Sequence, residues 1–349
     1  MKSIDLHKLV RDRVLKMKPY ASARDEFKGA AEGMIFLDAN ENPFENGWNR
    51  YPDSKQLAVK KKISAIKGVS ENRITLGNGS DEILDLIFRV FCEPGKDTVI
   101  SLPPTYGMYS VLADLNGVEN KQVLLNADFQ PDINRILAQV DERTKLLFLC
   151  SPNNPTGNLL SEESIRTLLN RFNGIVVLDE AYIDFTTEES WMQKGIAFEN
   201  LIVIQTLSKA YGMAGIRLGM AFASPEITAL LHKIKPPYNI GVLTAEKVVA
   251  MRNTVKNEVT LIQNEKQQLY KVLLQVNFIK TIYPSEANFL LIRVDDANKR
   301  YRQLLENGIV VRNRNSDPLC DNCLRITIGT PEENSRLIQV IQNIQKTEL

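Results

Sequence analysis

LIVIQTLSKAYGMAGIRLG, residues 201–219, is the stretch whose reading decides the fold. It opens on a continuous apolar run, Leu201 to Ile204, the pattern of a strand buried on both faces. Lys209 follows directly, flanked by Thr206 and Ser208, and Arg217 and Gly219 close the segment. Lysines ordinarily sit on solvated faces. A lysine held in a dry, cationic pocket has a lowered pKa, and its amine then serves as nucleophile and base. A loop charge at a strand end explains the same letters equally well, and the segment alone leaves both readings open.

Outward from that strand the pattern repeats. Between residues 54 and 235 helical spacing is expected over 54–67, 81–92, 106–116, 161–172 and 225–234, alternating with short apolar runs at 98–101, 122–125, 145–149, 175–178, 201–205 and 218–223. Strands apolar on both faces between helices imply an α/β fold with a mostly parallel sheet covered on both sides. Ligands of such sheets bind beyond the carboxyl ends of the strands. Pro236-Pro237 marks a boundary. Beyond it a helix is expected over 242–276, broken near Asn253, then runs at 278–283 and 288–294, a helix at 297–306, strands at 309–312 and 324–328, and a last helix at 332–346. At the other end, Leu6, Leu9, Val10, Val14 and Met17 are spaced for an amphipathic helix over 3–17, followed by a polar connector. The expected division is an arm and connector at 1–45, packing on the small domain or on a partner subunit, a large domain at 46–237, and a smaller α+β domain at 238–349.

Composition excludes several classes of function. A net charge of +1 over 349 residues leaves no footprint for nucleic acid or membrane. The charged N-terminal stretch does not read as a signal peptide, and no apolar run reaches membrane-spanning length, so a cytoplasmic protein is expected. Cys92 and Cys150 lie in apolar runs and read as inert core thiols. Cys320 and Cys323 form a CxxC without a second ligand pair, so a turn leading into a strand is favoured over a metal or redox site, and no metal is expected. The two histidines, His7 and His232, lie in polar helical segments and read as solvated, with no GxSxG nearby. General base chemistry must then come from Lys, Tyr, Asp or Glu.

Five motifs fall at strand ends. GNGSDE, residues 77–82, places Gly79, Ser80 and Asp81 at a helix start, either as an ordinary cap or as an anion site. SPNNPTGN, residues 151–158, is a rigid loop offering Asn153 and Asn154, either as a structural turn or as a ligand amide. VVLDEAYIDF, residues 176–185, puts Asp179 just past a buried strand, where a carboxylate needs a positive partner; Tyr182 follows. Tyr106 in PPTYGMYS either packs or stacks on a flat ring. Arg217 in GIRLG suits bidentate phosphate binding. Arg312 and Arg325 interrupt apolar strand patterns, where a buried guanidinium requires an anion.

In this order and spacing, SPNNPTG, DEAY, TLSKAYG and GIR resemble the fold-type I, pyridoxal-phosphate-dependent aminotransferases of class I and II, over nearly the whole chain. PYASAR at 19–24, LDANENP at 37–43, YPD at 51–53, the GSDE turn and CLRITIGT at 323–330 resemble the histidinol-phosphate aminotransferases in particular. The resemblance implies that pyridoxal 5′-phosphate is held covalently by Lys209. Asp179 pairs with its pyridine nitrogen, Asn153 and Tyr182 contact its 3′-oxygen, and Tyr106 lies against the ring. Gly79, Ser80, Asp81, Thr206, Ser208 and Arg217 surround its phosphate. It further implies a homodimer in which Tyr51 reaches the phosphate from the second subunit, and a substrate site formed by Tyr20, Asn42, Arg312 and Arg325. The implied reaction converts histidinol phosphate and 2-oxoglutarate to imidazole acetol phosphate and glutamate, by ping-pong kinetics. Aromatic transamination, or decarboxylation of a phosphorylated amino acid, would use the same scaffold. A regulator that keeps the fold would have lost the lysine, and a nicotinamide dehydrogenase would carry GxGxxG; neither sign is present.

Overall fold

The computed structural model describes residues 5–20 and 33–347. Seven strands form the first sheet: β1 Ile74–Asn78, β2 Thr98–Ser101, β3 Glu119–Gln122, β4 Thr144–Cys150, β5 Ile175–Asp179, β6 Leu201–Thr206 and β7 Leu218–Phe222. Their order is β1-β7-β6-β5-β4-β2-β3. Only β7 runs against the others, antiparallel to both β1 and β6. Every residue of β5 and β6 is buried. Successive side chains enter opposite cores: Val176 and Leu178 join one, Ile175 and Val177 the other. Helices fill both faces, as the continuous apolar runs require. Several start where a side chain caps them. Ser161 accepts the Ser164 N–H, and Ser224, followed by Pro225, accepts the Ile227 N–H.

The second sheet holds β8 Ile279–Ile282, β9 Phe289–Val294, β10 Arg312–Asn313 and β11 Cys323–Thr327, in the order β10-β11-β9-β8, all antiparallel. Leu269, Leu304 and Val340, from helices Lys256–Leu273, Ala297–Glu306 and Pro331–Thr347, pack with its apolar residues in one core. The two sheets meet through the Gly157 carbonyl, which accepts the Glu286 N–H at 2.8 Å, and through Arg325, which donates to the Asn154 amide oxygen.

The α/β architecture with a smaller α+β part is the one expected, and local differences have identifiable causes. The arm is two short helices, Leu6–Leu9 and Asp12–Lys16, not one. At the break the Arg11 N–H bonds to the Val90 carbonyl, and its guanidinium to Glu93, so core contacts replace a helical hydrogen bond. Residues 3 and 4 of that expected helix, and most of PYASAR, lie outside the described residues. β1 was not anticipated, because Gly77 and Asn78 mask its apolar start. The strand expected at 122–125 sits at Glu119–Gln122, and the one at 309–312 shrinks to Arg312–Asn313. The long helix divides into Val242–Val249 and Lys256–Leu273, with the break around Asn253. His232 is not solvated: it lies 3.3 Å from the Lys60 ammonium, and burial together with that charge pushes it down to about 4.

One close approach sets the mouth of the first sheet. Gly219 faces Gly77 across the β1–β7 ladder. A Cβ on Gly219 would lie 2.4 Å from the Gly79 carbonyl carbon and 2.4 Å from the Ser80 nitrogen. Both neighbours are backbone, so neither can swing aside. Gly219→Ala should therefore lower stability by about 1–3 kcal/mol, the usual range for forced overpacking. Thermal melts check this, and an unchanged melting temperature would refute the packing argument.

Candidate active site

The carboxyl ends of β4, β5 and β6 converge on a cavity of about 550 Å³. Because β7 is reversed, its first residues arrive at this same end of the sheet. The N-terminus of helix Ser80–Phe91 and the start of the β10–β11 hairpin complete the wall.

Asp179, the last residue of β5, is fully enclosed. Its carboxylate accepts the Tyr109 hydroxyl at 2.9 Å and the Ala181 N–H at 3.0 Å. Burial pushes its pKa up to about 6, with those two hydrogen bonds pulling the other way. Lys209 lines the same cavity, its ammonium 5.5 Å from the Tyr182 ring centre. Loss of hydration first, and the Arg325 charge second, hold its amine below the usual lysine range. Tyr106 leans across the opening and donates to Asp81 at 3.0 Å.

The helix Ser80–Phe91 begins at Gly79, whose φ of 79° is open to glycine, and no side chain caps its first turn. The free N–H groups and the helix dipole favour an anion there. Arg217 follows in the left-handed region at φ 56°, and its guanidinium packs so tightly over Gly79 that a Cβ would come within 2.4 Å of it. Among the described residues no carboxylate pairs with Arg217. Thr206 and Ser208 complete the ring, with the Ser208 N–H donating to the Thr206 hydroxyl at 3.1 Å.

At the far wall stand three arginines. Arg325 in β11 faces Arg312 of β10 in register. Arg314, two residues on, lines the same cavity. Arg325 lies 5.1 Å over the Phe289 ring and bonds to Asn154, while its Nε is buried without a partner.

Residues 37–341 match the family model for aminotransferase class I and II. The chain is 59% identical to the histidinol-phosphate aminotransferase of Christiangramia forsetii over 348 residues, which is 99% of both chains. It is 56% identical to that of Flavobacterium johnsoniae, over 98% of this chain and 99% of the other. The chain belongs to the class I and II aminotransferases. Among solved structures, the histidinol-phosphate aminotransferase from Sinorhizobium meliloti in complex with pyridoxal-5′-phosphate superposes with a TM-score of 0.74, at 26% identity over 84% of each chain. The enzyme from Clostridium acetobutylicum gives 0.78 at 24% identity, over 85% of this chain and 91% of that one.

The cofactor of this aminotransferase is pyridoxal phosphate, and the residues present fit it. A glycine cradle with an unpaired guanidinium and an uncapped helix start suits a phosphate. A dry carboxylate suits a ring nitrogen, and an amine with a lowered pKa lines the same cavity. Ser80, Asp81, Tyr106, Asp179, Tyr182, Thr206, Ser208, Lys209, Arg217, Arg312 and Arg325 all line the one cavity.

Asn153 does not. Its amide donates to the Pro104 carbonyl at 2.8 Å and to Thr156 at 2.7 Å, and its oxygen accepts from Thr105 at 2.9 Å, so the loop itself consumes it. The amide that reaches the cavity belongs to Asn154. Nothing in an Asn-Asn pair tells which one turns inward. Three further residues lie away from the cavity of their own chain. Tyr51 is exposed and stacks on Tyr238 at 4.5 Å, Asn42 is exposed on the same surface, and Tyr20 lies beside His232 and Lys60. Sequence reasoning also passed over Tyr109 and Arg314. Tyr109 stands one helical turn from Tyr106, and Arg314 alternates with Arg312, so both left a periodic signal.

A buried carboxyl whose folded pKa lies above its unfolded value stabilises the fold only while protonated. That stability is present at low pH and lost as the pH rises through about 6. In the cofactor-free protein, Asp179→Asn should therefore raise the melting temperature at pH 8 and leave it nearly unchanged at pH 4. Equal shifts at both values would contradict the burial argument.

Proposed function

We propose that this aminotransferase moves the amino group of L-histidinol phosphate to 2-oxoglutarate, giving imidazole acetol phosphate and L-glutamate in histidine biosynthesis. The observation that carries this reading is the arginine wall, which lines the same cavity as the Lys209 amine. Both donors, the phosphate ester and glutamate, are anions that need guanidinium partners.

The cofactor, when bound, supplies an electrophilic carbonyl and an electron sink for the bond to Cα. Lys209 would hold it through Nζ, and the Asp179 carboxylate would keep a proton on its ring nitrogen. Ser80, Thr206, Ser208 and Arg217 would hold its phosphate, and Asn154 and Tyr182 would meet its ring oxygen. A free Lys209 Nζ would take the proton from the substrate Cα, a role its lowered pKa supports. Arg325 fixes the anionic end so that this hydrogen faces Nζ. Two substrates take turns in one site, which gives ping-pong kinetics.

The assembly belongs to the same proposal. Ile35, Leu37, Phe44, Trp48 and Tyr51 are all exposed, an apolar surface suited to a second copy of the chain. A homodimer would carry Tyr51 to the neighbouring phosphate site and Tyr20 and Asn42 to a substrate. The reading keeps the arm and connector at 1–45, the large domain at 46–237 and the small domain at 238–349. Among the described residues no helix is long and apolar enough to cross a membrane. That fits the cytoplasmic location we propose.

Lys209→Ala should cut turnover by more than about a hundredfold, the low end of what a positioned base contributes. Steady-state assays check this, and retained transamination would remove Lys209 from the mechanism. Absorbance changes with histidinol phosphate, phenylalanine and phosphothreonine as amine donors test the substrate. A rate with phenylalanine above that with histidinol phosphate would overturn the assignment.

A further inference from the structure

A second cavity, of about 580 Å³, lies between helix Leu57–Lys67 and helix Pro225–Ile234. It shares no lining residue with the Lys209 cavity. Lys60 enters it from the first helix, Thr228 and His232 from the second, and Lys235 from just beyond that helix's end. Tyr20, from the arm, adds a ring but no charge.

Lysines ordinarily keep their ammonium groups in water. Here Lys60 is buried, and His232 and Lys235 are half-buried. Among the described residues neither lysine forms an ion pair. Lys60 lies 3.3 Å from the His232 ring nitrogen, and Lys235 donates only to neutral oxygens, of Asn239 at 2.8 Å and Pro236 at 3.1 Å. Glu71, the one carboxylate lining the cavity, and Asp53 act on Lys60 from a distance, and burial outweighs them, so that amine is held below the usual lysine range. Burial, then the Lys60 charge, pushes Lys235 down to about 8. Burial, then the charges of Lys60 and Lys235, push His232 down to about 4. Cations crowded together out of water are unfavourable until an anion joins them.

The second observation is a hydroxyl. Thr228 is buried, and its Oγ1 has no hydrogen-bond partner. Such orphaned groups are rare. Thr228 stands one helical turn before His232, on the same face, and lines the same cavity. A single carboxylate would leave part of this donor set unused, whereas a tetrahedral oxyanion offers an oxygen to each member. We propose that this cavity is a binding site for a phosphate dianion, free or carried by a small monoester, held by Lys60, Lys235 and His232 with a hydrogen bond from the Thr228 hydroxyl. Leu57, Ala229 and Pro237 supply apolar wall for the body of an ester.

The test uses holoenzyme containing carbon-13-labelled histidine. The chain has two histidines, and His7 is exposed on the arm, so His232 reports on the cavity while His7 serves as control. Inorganic phosphate should move the His232 resonance saturably and leave His7 in place. It should also raise the His232 protonation midpoint from about 4 to about 5–7, as a neighbouring opposite charge does. Lys60→Met should weaken the response roughly 10–100-fold, the worth of one charge-assisted hydrogen bond, and Thr228→Val about 2–10-fold. Thr228→Val should melt no lower than the wild type, since its hydroxyl has no partner to lose, and this separates binding from folding. Arg325→Gln should leave the His232 response unchanged. Loss of the response in Arg325→Gln would put the ion in the Lys209 cavity and overturn the proposal, as would a His232 resonance that phosphate does not move. Phenyl phosphate then identifies the source: tighter binding than inorganic phosphate assigns the site to monoesters, and equal or weaker binding assigns it to the free ion.

Discussion

A carboxylate deprived of water at the end of β5 is the constraint on which the rest of the site depends. Asp179 has two partners in the protein, the Tyr109 hydroxyl and the Ala181 N–H, and neither carries a charge. Leaving an ion in such a place is unfavourable unless something positive arrives. The fold tolerates this because β5 is central, paired in parallel with both β4 and β6. The ring nitrogen of the cofactor is the natural complement. Phosphate cradle, carboxylate and amine then line one cavity that a single flat molecule can fill.

The second sheet contributes charge where the first contributes geometry. Its hairpin brings three guanidinium groups to the cavity, and among the described residues only Arg314 of the three forms an ion pair, with Asp317. Arg325 touches the first sheet's loop through Asn154 and packs on Phe289. Phe289 in turn meets the Tyr182 ring edge-on at 5.2 Å. Arg325 and Tyr182 are thereby joined through Phe289 by a short chain of direct contacts.

Much of this was legible in the letters. Parallel strands buried on both faces leave continuous apolar runs, and the motifs that follow those runs fall at one end of the sheet. Lys209, Asp179 and Arg217 were found in that way. Choices made by side-chain direction within a loop were not legible. Asn153 and Asn154 are chemically identical, and only the packing of Thr105, Thr156 and Pro104 around the first decides that the second faces the cavity. The arm was misread for a similar reason: helical spacing is local, whereas the Arg11 contact with Val90 that interrupts it is not. Tyr51, Asn42 and Tyr20 lie away from their own cavity, and no pattern within one chain says what a second copy brings.

The reversed strand β7 has one more consequence. The chain leaves β6 at Thr206 and returns at Leu218, and both ends are fixed by the Thr206–Gly219 pairing and by the Leu207 N–H on the Leu218 carbonyl. The loop between them is therefore a closed span that carries the amine of Lys209 and the guanidinium of Arg217 at a set number of residues apart. It works as a gauge, because the number of residues between Lys209 and Arg217 limits how far apart the two groups can stand. Adding or deleting a single residue there would leave the sheet intact yet put the two groups out of step.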